Sequence, residues 1–469
     1  MRQLESSGQG TDVLVIGGGM AGFAAAHAAL EAGASVTLIE KAPAPGGSTL
    51  FSGGAFTFAG TRQQEEMGIA DDSARLRDDL LKAGGGLTSE DQIELYVQGQ
   101  RSTYEWLRGL GISFSTPFLS VGQTIPRSHA TNTRILIDTL RSRAEDNPAF
   151  RLLPGCPAKR LVKVGERVRG AEAIFNGQTV RIDARRGVVL ATGGFAHSDQ
   201  LIRRFAPALL QAKRIGGPGV TGDGIRMAWA LGADFVDAGW LTGTFGCILP
   251  DYGKPQASAQ PSFLLHAIYS GAIALNKRGH RFIDESSSYK VIGTQCLAQP
   301  ESVAFQLFDQ RVMDASRESP LTRNFKAAYE LAGYINRGST VDEAAESIGL
   351  DPQATRRTVE EYNAHVTTGA RSQHSRSSLL NGIGNPTPLD RPPFYIYACT
   401  TAIVSTYAGI PINRRTEVLD VFGDAVPGLF AAGEVVGGFH GPHPMSGTSI
   451  AKAAIFGRAA GSVAAQLRL

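Results

Sequence analysis

Cysteine is scarce in this chain: Cys156, Cys247, Cys296 and Cys399 are the four among 469 residues. They lie too far apart for the paired spacings of a zinc or iron–sulfur centre, and no Cys-x-x-Cys-His run offers covalent haem attachment. No metal site is expected, and the four read as buried reduced thiols. An excess of either charge is also missing. Lys and Arg total 46 against 43 Asp and Glu, a net charge of +3 that gives no reason to invoke nucleic acid. Long apolar runs are absent too: none reaches the roughly 18 residues of a membrane-spanning helix. The opening stretch, Met1 to Gly10, is short and polar, neither a signal peptide nor an anchor, so a cytoplasmic protein is expected. Glycine, by contrast, is abundant at 56 residues, as loops that approach a ligand closely require.

The most informative run is Thr11-Asp12-Val13-Leu14-Val15-Ile16-Gly17-Gly18-Gly19-Met20-Ala21-Gly22. It reads as a short apolar strand breaking into Gly17-x-Gly19-x-x-Gly22 and then an Ala-rich helix. A second strand, Ser35–Ile39, ends on Glu40. The glycines divide the work of a tight turn, close backbone approach to a pyrophosphate and tight helix–strand packing. The helix start, Met20-Ala21, offers N–H groups to the phosphates, and Glu40 is placed to accept from a ribose diol. An adenine dinucleotide is therefore expected. A second cluster follows Glu40: Lys41, then Gly46-Gly47-Ser48-Thr49, then Ser52-Gly53-Gly54. A simple nicotinamide enzyme has no use for it, whereas the extended FAD molecule carries a second half that needs close approach. Two further strand-to-glycine junctions, Val188–Leu190 into Ala191-Thr192-Gly193-Gly194 and Gly428–Ala431 into Ala432-Gly433-Glu434, would meet the first at strand carboxyl ends. The cofactor expected is FAD.

A chain of 469 residues should form two domains. Residues 73–150 read as helices, with Gln92–Leu107 and Arg134–Ala144 amphipathic. Arg151–Arg186 reads as a strand meander with an Asn176-Gly177 turn, 222–232 as a helix and Ser449–Arg468 as the last helix. Thr367–Asn385, polar and rich in Ser and Arg, reads as a solvated surface loop. The fold class expected is α/β: a discontinuous Rossmann-like FAD-binding domain over 1–236 and 390–469, with an α+β capping domain inserted at 237–389.

These motifs, with Thr221-Gly222-Asp223-Gly224, Arg281-Phe282-Ile283-Asp284-Glu285, Gly437-Gly438-Phe439-His440-Gly441 and Phe456-Gly457-Arg458, come in the order of a known family. The chain resembles the flavoproteins of fumarate reductase, succinate dehydrogenase, aspartate oxidase and 3-ketosteroid dehydrogenase, over nearly its whole length. The resemblance implies a cap that closes over the flavin, and FAD contacts from Asp223 and from the last helix start, Thr448-Ser449-Ile450. No histidine adjoins Gly46-Gly47-Ser48-Thr49 as in succinate dehydrogenase, so the FAD is expected to be non-covalent.

The resemblance also frames the substrate. Where fumarate reductases carry a proton-delivering arginine after the Arg-Phe-x-Asn-Glu element, this chain has Tyr289. Ser405 replaces their histidine, and Pro444 the arginine that clamps a substrate carboxylate. Losing bidentate carboxylate holders argues against a dicarboxylate. A tyrosine at the first position is what 3-ketosteroid dehydrogenases carry. Desaturating a ketone needs a base for the α-proton and donors for the carbonyl oxygen as enolate charge develops. The candidates are Tyr289 as base, and Tyr407, His443 and the backbone at Ser446-Gly447-Thr448 as donors, with Phe118 and Phe245 lining the pocket. Each has a structural alternative: Tyr289 and Phe245 as packing residues, His443 as a loop hydrogen-bonder. The leading expectation is a dehydrogenase that introduces a C=C bond beside a ketone in a cyclic or steroid-like small molecule. It would pass electrons to an external acceptor: a quinone, oxygen or a redox protein. The alternatives are an enoate reductase or tricarballylate-type dehydrogenase, with Arg127, Arg134 or Lys290 holding carboxylates, and an electron-transfer flavoprotein subunit.

Overall fold

The structure is a computed structural model that describes residues 10–241, 243–253, 263–317, 324–330, 333–379 and 382–467. It divides into two compact units, one of Met1–Phe205, Gly216–Leu241 and Ser405–Leu469, the other of Ala206–Ile215 and Thr242–Val404. In chain order, the first unit opens with β1 (Thr11–Ile16), α1 (Met20–Glu31) and β2 (Val36–Glu40). It continues through α2 (Glu90–Gly109), α3 (Thr133–Glu145), β3 (Phe150–Pro154), β4 (Ala158–Val164), β5 (Arg167–Phe175) and β6 (Gln178–Leu190). The second unit holds β7 (Thr244–Ile248), β8 (Ile273–Leu275), α4 (Tyr289–Leu297), β9 (Ala304–Asp309), α5 (Pro352–Thr368) and β10 (Phe394–Ile403). The chain returns to the first with β11 (Glu417–Leu419), β12 (Ala425–Ala431) and α6 (Thr448–Gln466).

The first unit is built on a sheet of spatial order β11–β12–β6–β1–β2–β3, to which β4 and β5 add an antiparallel extension of β6. β1 pairs in parallel with β2 (Val15 opposite Leu38) and with β6 (Val15 opposite Val189), and β12 pairs in parallel with β6 (Ala431 opposite Leu190). A strand buried on both faces needs an unbroken apolar run, and Val13, Leu14, Val15 and Ile16 supply it, all at most 4% exposed. Each such burial contributes roughly 1.5–3 kcal/mol. Because the three strands run in one direction and in register, the glycine junctions after Ile16, Leu190 and Ala431 lie side by side. That is the α/β arrangement expected. Residues 151–154 depart from expectation: they belong to β3, the parallel partner of β2, and the meander proper begins at Ala158. A run this short carries no sign of whether its partner is parallel or antiparallel.

α1 is Ala-rich because α6 crosses it at close range. A Cβ on Gly457 would strike Ala21, and one on Gly461 would strike the carbonyl of Ala25. α2 and α3 start where Ser89 and Asn132 cap the free N–H groups of Gln92 and of Arg134 and Ile135.

The second unit has a six-stranded sheet centred on β10, all ten of whose residues are buried. β7 and β9 flank β10 antiparallel, and β8 follows β9. α4 lies against β7 at Gly293, where a Cβ would stand 2.9 Å from the carbonyl of Gly243, and Thr401 donates to the Gly293 carbonyl at 2.8 Å. The stretch expected to be a solvated loop is largely exposed among its described residues, but it is anchored at Arg376. Arg376 is 3% exposed and donates to the carbonyls of Ala272 (2.8 Å) and Ile268 (2.6 Å). Composition marked the segment as polar, but its arginine finds two carbonyls of a short turn, of which the Ile268 one also accepts from Gly271 N at 3.4 Å.

Candidate active site

In the first unit the glycines fall into two physical classes. Gly17, at φ 112°, and Gly22 are glycine because the fold leaves no room: a Cβ on the first would strike the Ala191 carbonyl, and on the second the carbonyl of Gly17. Gly19, Gly47 and Gly53 are glycine without any such neighbour. The nearest atoms to a Cβ would lie 3.6 Å away at Gly19 and 3.9 Å away at Gly47, and nothing would lie within 4 Å at Gly53. Bare backbone facing open space is what a ligand lying on the loops requires.

Side chains around these loops lock them together. The Glu40 carboxylate accepts from the N–H groups of Gly18 and Ala42, both at 2.7 Å. Thr49 accepts from Met20 N at 3.0 Å, tying the second glycine cluster to the head of α1. Ser52 turns onto the Thr49 carbonyl, and Gly54 carries a left-handed φ of 66° beside Thr131. Lys41 donates to Asp223 and Thr221, each at 2.7 Å, and Ser48 accepts from Gly217 N at 3.2 Å. Glu434 accepts from Thr406 N at 2.9 Å and flanks Gly193 and Gly194. Thr192 Oγ1 is buried with no hydrogen-bond partner. Two helix starts follow a glycine that has no side chain to cap them and carry no acid in the first turn: α1 after Gly19, where Thr49 takes up only the Met20 N–H, and α6 after Gly447, whose φ is 84°. Their N–H groups and partial positive charge suit the phosphates and an electron-rich ring edge. Thus Gly17, Gly19, Met20, Ala21, Gly22, Glu40, Lys41, Gly46, Gly47, Ser48, Ser52, Gly53, Gly54, Ala191, Thr192, Gly193, Gly194, Asp223, Gly433 and Glu434 line adjoining loops, with Thr448, Ser449 and Ile450 at the head of α6.

The loop before α6 is held from several sides. Thr57 donates to the Ser446 carbonyl at 2.9 Å, Ser446 N donates to Val121 O at 2.9 Å, and Gln123 reaches the same Ser446 carbonyl at 3.1 Å. The Phe118 segment, paired with Ser128, is thereby brought beside Ser446 and Gly447. Tyr407 sits in the left-handed region at φ 57°, uncommon for an aromatic residue, with its ring 4.8 Å edge-on to that of His440. His443 lies exposed three residues beyond His440.

Arg127 is not available to a substrate. It is fully buried, with both carboxylate oxygens of Asp71 at 2.7 and 2.8 Å and Asp79 on its other edge. Neighbouring His129 is buried as well, donating to the Arg127 carbonyl and bonded to Thr61, and burial drives it down to about 4. Arg134 lies exposed on α3.

In the second unit Tyr289 opens α4 behind the capping Ser288, and is 8% exposed. Its ring stacks on His266 (centroids 5.9 Å, 13° between planes) and meets Tyr269 edge-on at 6.4 Å, while its N–H donates to Tyr269 Oη at 3.1 Å. His266 Nε2 donates to the Phe245 carbonyl at 2.6 Å, which fixes its tautomer. Lys290, 4% exposed, places Nζ 5.4 Å from the Tyr289 ring centroid and 2.9 Å from Thr244 Oγ1; burial pulls it down to about 7. Phe245 is fully buried on β7. Sequence reasoning passed over His266, Tyr269 and Arg376, because no spacing announces them. Lys290 was considered, though as a carboxylate holder.

Residues 12–450 match a family model described as FAD binding domain. The chain belongs to this FAD-binding family. FAD is its cofactor, and the open glycines, the two acid-free helix starts and the acids at the strand ends fit that molecule. This flavoprotein is an oxidoreductase acting on CH–CH groups. It is 30% identical over 461 residues to the probable fumarate reductase Ifc3 of Shewanella frigidimarina (strain NCIMB 400), covering 97% of this chain and 75% of that one. It is 29% identical over 472 residues to urocanate reductase of Eggerthella lenta, with the same coverages. Its structure is similar to that of 3-ketosteroid-Δ4-(5α)-dehydrogenase from Rhodococcus jostii RHA1 solved with 4-androstene-3,17-dione. There the TM-score is 0.75 and the identity 26%, over 99% of this chain and 98% of that one. Three relatives so close in identity act on three kinds of substrate, so the choice must be argued from side chains. Among the described residues, no helix is long and apolar enough to cross a membrane.

Proposed function

We propose that this flavoprotein introduces a C=C bond beside a ketone, in a cyclic or steroid-like small molecule. The observation that carries this reading is the company of Tyr289: an imidazole, a second phenol and an ammonium group. Three arginines among the described residues of the same unit are committed elsewhere, Arg281 to Glu285, Arg376 to backbone carbonyls and Arg311 to Pro388 and Asp390. A carboxylate substrate calls for guanidinium forks; a ketone calls for a base and hydrogen-bond donors.

Bound FAD supplies the acceptor for a hydride from the β-carbon. The chain's own part is proton transfer and orientation. Tyr289 Oη takes the α-proton as the double bond forms; the carbonyl oxygen needs hydrogen-bond donors, for which Tyr407, His443 and the N–H groups at Ser446-Gly447 are the sequence candidates. A phenol ordinarily releases its proton near pH ~10, so its surroundings must favour the anion. An external acceptor, whether quinone, oxygen or a redox protein, then reoxidises the enzyme.

The 30% identity to a probable fumarate reductase supports a second reading, reduction of an unsaturated acid. Anaerobic mixing of the oxidised holoenzyme with cyclic ketones should bleach the flavin's visible absorption, and saturated carboxylic acids should not. Tyr289→Phe should keep its FAD and slow that bleaching by about 10²–10⁴-fold. Reoxidation of the dithionite-reduced enzyme by fumarate or urocanate, with no response to ketones, would establish the second reading.

A further inference from the structure

We infer that Lys290 is a positioning residue for Tyr289: it sets the pH at which the phenol gives up its proton, and the two groups titrate as a coupled pair. The geometry lies wholly within the second unit. Lys290 follows Tyr289 on the first turn of α4, which fixes the base of its side chain, and Thr244 Oγ1 holds Nζ at 2.9 Å, which fixes its head. Held at both ends, the amine stays 5.4 Å from the Tyr289 ring centroid. On another side the same ring stacks on His266, whose tautomer the Phe245 carbonyl sets.

A buried ammonium group costs several kcal/mol unless something compensates it. Burial has brought Lys290 to about 7, so its charge responds to pH in the range where the enzyme would work. A phenolate beside it would offset part of that cost, and the ammonium in turn favours the phenolate; such a pair loses its protons as one system. Among the described residues, titratable groups on the strands packed against α4 are Cys247 on β7 and Tyr395, Tyr397 and Cys399 on β10, with Cys296 on α4 itself and His266 and Tyr269 against the Tyr289 ring. The three thiols are all buried, and burial pushes Cys296 up to about 12 and Cys399 well above the ordinary range, so they do not share the neutral-range proton. Glu285, upstream, is bound by Arg281.

The inference rests on Tyr289 acting as proposed above, and its test separates the two. The holoenzyme, labelled with carbon-13 at the phenolic carbon of tyrosine, is titrated by NMR as the parent, Tyr289→Phe, Lys290→Met and Lys290→Arg. Met matches the length of Lys without its charge and suits a buried site, so the fold should persist. Tyr289→Phe assigns the signal. Lys290→Met should move the Tyr289 titration up by about 1 to 3 units, and Lys290→Arg should keep it low. Ketone-dependent flavin reduction in Lys290→Met should fall about 10-fold or more near neutral pH and recover in alkali, which a merely structural role would not produce. An unmoved titration, or a loss equal at every pH, overturns the inference. A shifted titration in an enzyme that no ketone reduces upholds the coupling and refutes the substrate assignment instead.

Discussion

In the first unit, the residues that shape the cofactor groove are backbone. Gly17, Gly19, Gly47 and Gly53 matter for what they lack, and the carboxyl ends of β1, β6 and β12 deliver their loops to one edge. In the second unit the chemistry we propose falls to side chains from separate segments: Tyr289 and Lys290 from α4, Thr244 from β7, His266 and Tyr269 from a turn that Arg376 ties down. A large cofactor can be held by main-chain amides and helix dipoles, which tolerate almost any side-chain background. The proton transfer we propose is made by a side chain, so it depends on which side chains are present and on how their rotamers are fixed.

The comparison can be broken most severely at Gly22. Gly22→Val drives a branched side chain into the carbonyl of Gly17, and the protein should purify without flavin, read from its visible absorbance, and unfold at a lower temperature. A flavin-loaded variant would mean that the groove does not depend on the tight packing of Gly22 against Gly17. Next comes acid. His129, neutral when buried, has a folded pKa of about 4. An unfolded chain takes up that proton first, near pH ~6.5. The stability this residue contributes is therefore complete above ~6.5 and falls by about 3 kcal/mol as the pH drops toward 4. Denaturant melts of the holoenzyme near neutral pH and near pH ~4.5 should show this loss, and His129→Gln should flatten it. The smallest effect is expected at Arg376→Met, which releases the turn carrying His266 and Tyr269. Stability should fall by about 1–3 kcal/mol with FAD content unchanged, and ketone-dependent flavin reduction should slow several-fold. Lost flavin with normal kinetics would reverse the assignment of roles to the two units.

Much of the fold was legible because its signals are local. Apolar runs ending in glycine marked the three parallel strands, and α2, α3 and α6 lie within a few residues of where periodicity put them. Pairing direction was less legible, which is why Phe150–Pro154 read as part of the meander although it completes the parallel sheet. Arg127 looked like a spare cation until the fold set Asp71 and Asp79 against it. Arg376 looked solvated until Ile268 and Ala272 offered it carbonyls. Charge alone does not tell a surface arginine from a buried one, because both outcomes depend on partners distant in sequence.

The amino-acid sequence by itself determined the cofactor. Tight turns, bare backbone and an acid at a strand end are properties of consecutive residues, and they survive in any background. Only the tertiary structure decided which groups surround Tyr289, since a phenol's willingness to release a proton depends on the field of neighbours that folding assembles from far along the chain.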